Sequence, residues 1–109
     1  DESSPRNPAR NSRRQARQVE AQKRQLLKPF SDRVRELDKE MAGQREALSA
    51  VEETLHDENL YTDESRKQEM TALAQRQAAL NESLSALEWE WLEASEALEK
   101  AENDLHRTG

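Results

Sequence analysis

From Met70 to Leu105 the apolar positions fall at alternating steps of three and four: Met70, Leu73, Gln77, Leu80, Leu84, Leu87, Trp91, Ala94, Leu98, Ala101 and Leu105. That alternation is the a/d seam of a coiled coil, and a helix carrying one needs a second helix to cover it. The chain supplies its own. Leu27, Phe30, Val34, Leu37, Met41, Gln44, Leu48, Val51 and Leu55 repeat the rhythm ahead of a short polar gap. Two seams with a short connection read as an all-α fold, an antiparallel two-helix coiled-coil hairpin.

Composition leaves room for little else. Of the 109 residues, 33% are hydrophobic and 37% charged, so a thin seam can be covered but a thick globular core cannot. Two glycines and three prolines do not provide the turns of a sheet. With no cysteine there is neither a disulfide framework nor a thiolate metal site. No apolar run approaches the ~20 residues of a membrane span, and the amino end lacks a signal-peptide core. The expectation is a soluble, cytoplasmic, monomeric piece with no membrane partner. Its start, Asp1 followed at once by Ser-Ser-Pro, reads as a cut from a longer protein.

Charge is distributed unevenly. Residues 1 to 28 carry eight basic side chains (Arg6, Arg10, Arg13, Arg14, Arg17, Lys23, Arg24, Lys28) against three acidic ones, a net +5, while the remainder nets −11. A basic segment leads into an acidic rod.

In chain order, residues 1–11 have two prolines and no apolar period and read as a disordered linker. The hairpin domain is expected over 12–106. Ser12 with Gln15 offers a capping box for a polar first arm, about 12–56, that Pro29 kinks or divides. Gly43 beside Gln44, a polar residue at a seam position, makes a locally weak spot. The turn is expected at about 57–64, with Leu60 and Tyr61 folding back to plug the seam. Thr62, Asp63 or the Ser65/Gln68 pair would cap a second arm of about 65–106. Seating a positions opposite d positions around a turn near residue 64 sets Leu37 against Trp91, Gln44 against Leu84, Met41 against Leu87 and Leu27 against Ala101. The rod would be about 60 Å long.

Nothing suggests catalysis or a metal centre. His56 and His106 lie at opposite ends of the expected hairpin. The Glu88, Glu90, Glu93, Glu96 and Glu99 series is spread around a helix rather than converging on a point. Asn81-Glu82-Ser83 matches a glycosylation sequon but sits within a helix. Trp91 is on the seam and reads as core. Trp89 falls on the outward f position with Leu92 near it, and these two are candidates for protein contact unless the N-terminal helix covers them. The clearest functional signal is the basic segment. Spaced arginines on a polar helix neutralise phosphates without reading sequence, and no aromatic residues interleave to stack on single-stranded bases. A solubilising linker is the plainer reading of the same residues.

Several runs have a familiar look: Arg13-Arg14-Gln15-Ala16, then Arg24-Gln25-Leu26-Leu27-Lys28-Pro29-Phe30, Val34-Arg35-Glu36-Leu37-Asp38-Lys39-Glu40-Met41, Leu60-Tyr61, and Glu90-Trp91-Leu92-Glu93-Ala94-Ser95-Glu96-Ala97-Leu98-Glu99. Over about residues 12–102 the chain resembles the C-terminal coiled-coil domain of ABC-F family ATPases, of the YheS- and Uup-like branches. The resemblance implies a cytoplasmic bacterial parent with two ATP-binding cassettes and no membrane domain, acting on the ribosome to regulate translation. It implies an accessory arm that contacts ribosomal RNA or DNA, or docks on the parent's own ATPase domains. By that analogy the candidate nucleic-acid residues are the eight basic side chains above plus Arg33 and Arg35. ATP and Mg²⁺ would belong to cassettes outside this stretch, which has no Walker A lysine, Walker B aspartate or ABC signature.

Overall fold

The computed structural model describes residues 8–108, and every element in them is helical. Helix α1 spans Pro8–Leu55, α2 is a short helix at Glu58–Thr62, a 3-10 turn covers Glu64–Arg66, and α3 spans Lys67–Thr108. The two long helices pack along each other as an antiparallel hairpin. Leu37, Met41, Leu84 and Leu87 form one buried cluster, with Leu48, Trp91 and Ala94 packed against it. Leu37, with none of its surface exposed, is the centre of the core.

The seam follows the periodicity closely. All eleven α3 positions from Met70 to Leu105 are buried or half-buried, and so is every α1 position from Leu27 to Leu55 except Phe30. Phe30 stays 40% exposed. A two-helix seam covers a side chain from one direction only, so a large ring at its thin end overhangs the edge. Polar contacts that cross between the arms among the described residues include Arg33 to Glu90 at 3.1 Å, Gln77 Nε2 donating to Glu52 at 3.3 Å, and Arg45 to Glu88 at 3.5 Å. They lie on either side of the line that sets Leu37 level with Trp91.

Three details differ from the sequence expectation. Helix α1 already includes Pro8, ahead of Ser12, so Ser12 and Gln15 sit inside the helix and form no capping box. Residues 8–11 are therefore helical, and the part of the expected linker at 1–7 lies outside the described residues. Second, Pro29 does not divide α1, which passes through it as one helix. The ring removes one donor to the Gln25 carbonyl, which is on an exposed residue where water substitutes. Third, only Leu60 of the two loop residues plugs the seam, at 1% exposure, whereas Tyr61 is exposed and its hydroxyl donates to the Leu55 carbonyl.

At ~1.5 Å per residue, α1 alone extends about 72 Å, longer than the expected rod because it starts earlier. Along the pairing line Thr108 comes level with residue 20, so α1 runs on past the end of α3. Residues 9–22 are all exposed.

Candidate nucleic-acid interface and the hairpin tip

The basic side chains of α1 are sorted by helical spacing into different environments. Arg10, Arg13, Arg14 and Arg17 stand at i, i+3, i+4 and i+7, and Arg24, Lys28 and Arg35 follow at further steps of seven, four and seven, so all seven share one flank. All are exposed. Lys23 does not join them. It is half-buried and lines a groove with Glu20, Leu27, Glu102 and His106 at the open end of the seam, a groove that Arg24 of the flank also lines. Arg33 projects on the other side, where Glu90 of α3 and Glu36 of α1 hold it at 3.1 and 3.6 Å. Arg6 lies outside the described residues. Of the ten sequence candidates, seven are therefore brought together.

Asp32 marks the inner limit of that flank. Lys28 donates to it at 2.6 Å and Arg35 approaches at 3.6 Å. The hydrogen bond from Lys28 holds the Asp32 carboxyl below its usual range, with the two nearby positive charges adding to the effect. Outward of Asp32, residues 9–31 contain seven basic side chains and a single acid, Glu20, which faces the open-end groove. The opposite flank carries Val19 and Leu26, two apolar side chains seven residues apart and largely exposed.

Trp89 and Leu92 are 67% and 42% exposed, and the first half of α1 does not cover them. Beside Leu92 a groove of about 440 Å³ opens between the arms, with Met41 and Trp91 in its lining and Asp38, Arg45 and Glu88 around it. Trp91 packs against the core as expected, but its indole Nε1 is buried without a hydrogen-bond partner, and so is Oε1 of Gln44.

The tip holds an arrangement that the periodicity did not reveal. Asp57 caps α2 by accepting from the Asn59 N–H at 3.0 Å, and Asp63 caps the 3-10 turn by accepting from the Ser65 N–H at 3.0 Å and its hydroxyl at 2.6 Å. Arg66 reaches Asp57 at 3.2 Å and Glu69 at 2.9 Å, tying the end of the first arm to the start of the second. The Ser65 hydrogen bonds lower the Asp63 carboxyl, the Arg66 hydrogen bond lowers that of Glu69, and the two carboxylates raise Arg66. Of the proposed caps for the second arm, Asp63 caps the 3-10 turn that leads into α3. The Arg66–Glu69 spacing of three was visible in the sequence, but the reach to Asp57 exists only once the turn is formed.

No group of histidine or carboxylate side chains among the described residues could hold a metal ion. ATP and Mg²⁺ find no fit either, since the only described glycine, Gly43, lies within α1 and no phosphate-cradling loop surrounds it. No described helix is long and apolar enough to cross a membrane.

No family model and no solved structure matches the chain. Over 50 residues it is 50% identical to the probable ATP-binding protein YheS of Escherichia coli strain K12, and to the same extent to the protein of that name from Escherichia coli O157:H7. The aligned stretch is 46% of this chain and 8% of each relative, so the match spans only a small part of the relatives' length. In that part of its length, the chain is similar to a probable ATP-binding protein.

Proposed function

We propose that the chain is an accessory coiled-coil arm, C-terminal in its parent, of a cytoplasmic ABC-F ATPase that regulates translation on the ribosome, and that it contacts ribosomal RNA or DNA through the basic half of α1. The observation that carries this reading is the gathering of seven exposed basic side chains on one flank of a helix whose first turns no other element covers. Such an array attracts phosphate, and its binding must weaken steeply with salt. The similarity to YheS supports the parentage, with ATP and Mg²⁺ held by the cassettes. Filter binding to ribosomal RNA and to duplex DNA, at 50 and 200 mM salt, tests it. Binding at the lower salt that disappears when residues 1–28 are removed is expected, and retention after that truncation would contradict the assignment.

A second reading rests on the exposure of Trp89 and Leu92: the hairpin docks on its own ATPase domains or another protein through them. Trp89→Ala should then weaken the association of arm and cassettes while leaving the helical content unchanged. Unaltered association would count against it.

A further inference from the structure

We propose that the basic flank of α1 takes double-stranded RNA, lying lengthwise across its narrow groove, in preference to DNA duplex or any single strand; this rests on the nucleic-acid reading above. Arg10, Arg14, Arg17, Arg24, Lys28 and Arg35 form a single file on a helix that continues unbroken through Pro29. Over these 25 steps the file is about 38 Å long. A helix that enters the major groove of B-form DNA meets a phosphate wall on each side and presents base-reading side chains at its front. This helix gathers seven of its cations on one flank, with Lys23 turned into the open-end groove, Arg33 held by Glu90 and Glu36, and Val19 and Leu26 on the opposite side. In A-form RNA the major groove is deep and narrow, so its two phosphate rows stand close together. One file of guanidinium groups can bridge both rows from outside, without inserting the helix. The flank carries no aromatic side chain on which unstacked bases could rest, which disfavours single strands.

At the inner end of the file Lys28 and Arg35 are already engaged by Asp32, and Glu20, the single acid among residues 9–31, lies in the open-end groove that Arg24 also lines. Six phosphate contacts would give a slope of log affinity against log salt of about −5, close to a thousandfold loss between 50 and 200 mM.

The test uses the 109-residue chain and a 20-base-pair RNA duplex of arbitrary sequence, the DNA duplex of the same sequence, and each RNA strand alone, with binding followed by fluorescence anisotropy at both salt concentrations. Two variants accompany it: Arg14→Glu with Arg24→Glu on the flank, and Arg76→Glu, exposed on α3, as a charge-matched control. The expected result is RNA-duplex binding at least tenfold tighter than the other probes, weakened at least tenfold by the flank pair and less than threefold by the control. Flank-dependent binding that is equal or tighter on DNA duplex or single strands overturns the RNA-duplex assignment and leaves nucleic-acid contact standing. No binding to any probe at 50 mM salt overturns both.

Discussion

The middle of the hairpin and its open end follow the same three-four rhythm, yet one is sealed and the other is not. Around Leu37 and Met41, α3 presents Leu84, Leu87 and Trp91, and the layer closes. Toward the open end α3 presents Ala94, Leu98 and Ala101, while α1 runs from Val34 through Phe30 and Leu27 to Lys23 and Glu20. Seam positions there are half-buried at most, and beyond them α1 is exposed all round. Periodicity thus fixes which way a side chain faces, and the bulk on the opposing helix fixes how deeply it is buried. The open end gives up burial and keeps the cations of its basic flank exposed to water.

The largest effect should come from cutting the sealed region. Leu37→Ala removes a fully buried side chain and should cost about 3 kcal/mol in urea unfolding, whereas Leu26→Ala, at a position 60% exposed, should stay within about 0.5 kcal/mol. Comparable losses at the two sites would break the contrast. Gln44→Leu sharpens it from the other direction. The buried amide oxygen has no partner, so an apolar side chain of similar size should raise stability by about 1 kcal/mol, read as a higher urea midpoint at unchanged slope. Gly43→Ala follows, since a methyl group there would meet no atom within 4 Å and glycine is costly inside a helix. A gain of roughly 0.5 to 1 kcal/mol is expected in thermal unfolding.

The smallest effect concerns acid. Asp32, Asp63 and Glu69 all have folded-state carboxyls held below their ordinary values of 3.8, 3.8 and 4.5. A depressed folded pKa contributes stability above the unfolded value and loses it as pH falls through the folded one. Stability should therefore be level near neutrality and decline below about pH 4. The doubly substituted Asp63→Asn, Glu69→Gln chain should show a shallower decline in acid, and an identical pH profile would contradict the role given to the tip.

Much of the fold was legible because one rule governs it. The seam positions, the reversal of direction and the packing of Trp91 against the cluster that contains Leu37 all follow from a repeat that must find a partner. What the rule does not reach is local. Pro29 looked like an interruption, but an exposed carbonyl left to water makes it tolerable within a long helix. Leu60 and Tyr61 looked alike, and the structure separates them because the narrow end of the seam accepts one side chain. The site was legible as a list of basic residues; which of them share a flank depended on the helix continuing past residue 29, and Arg33 left the group through a contact with Glu90 that only the folded pair creates.

The central claim is that one chain folds back on itself, so the most direct test is a distance. With spin labels at Gln25→Cys and Asn103→Cys, both exposed and the chain otherwise free of cysteine, the hairpin predicts one population near 20 to 25 Å, from two helix diameters side by side. It should persist when labelled chains are diluted into unlabelled ones. A distance above about 100 Å, as a continuous helix would give, or a short distance that vanishes on dilution, would contradict the account.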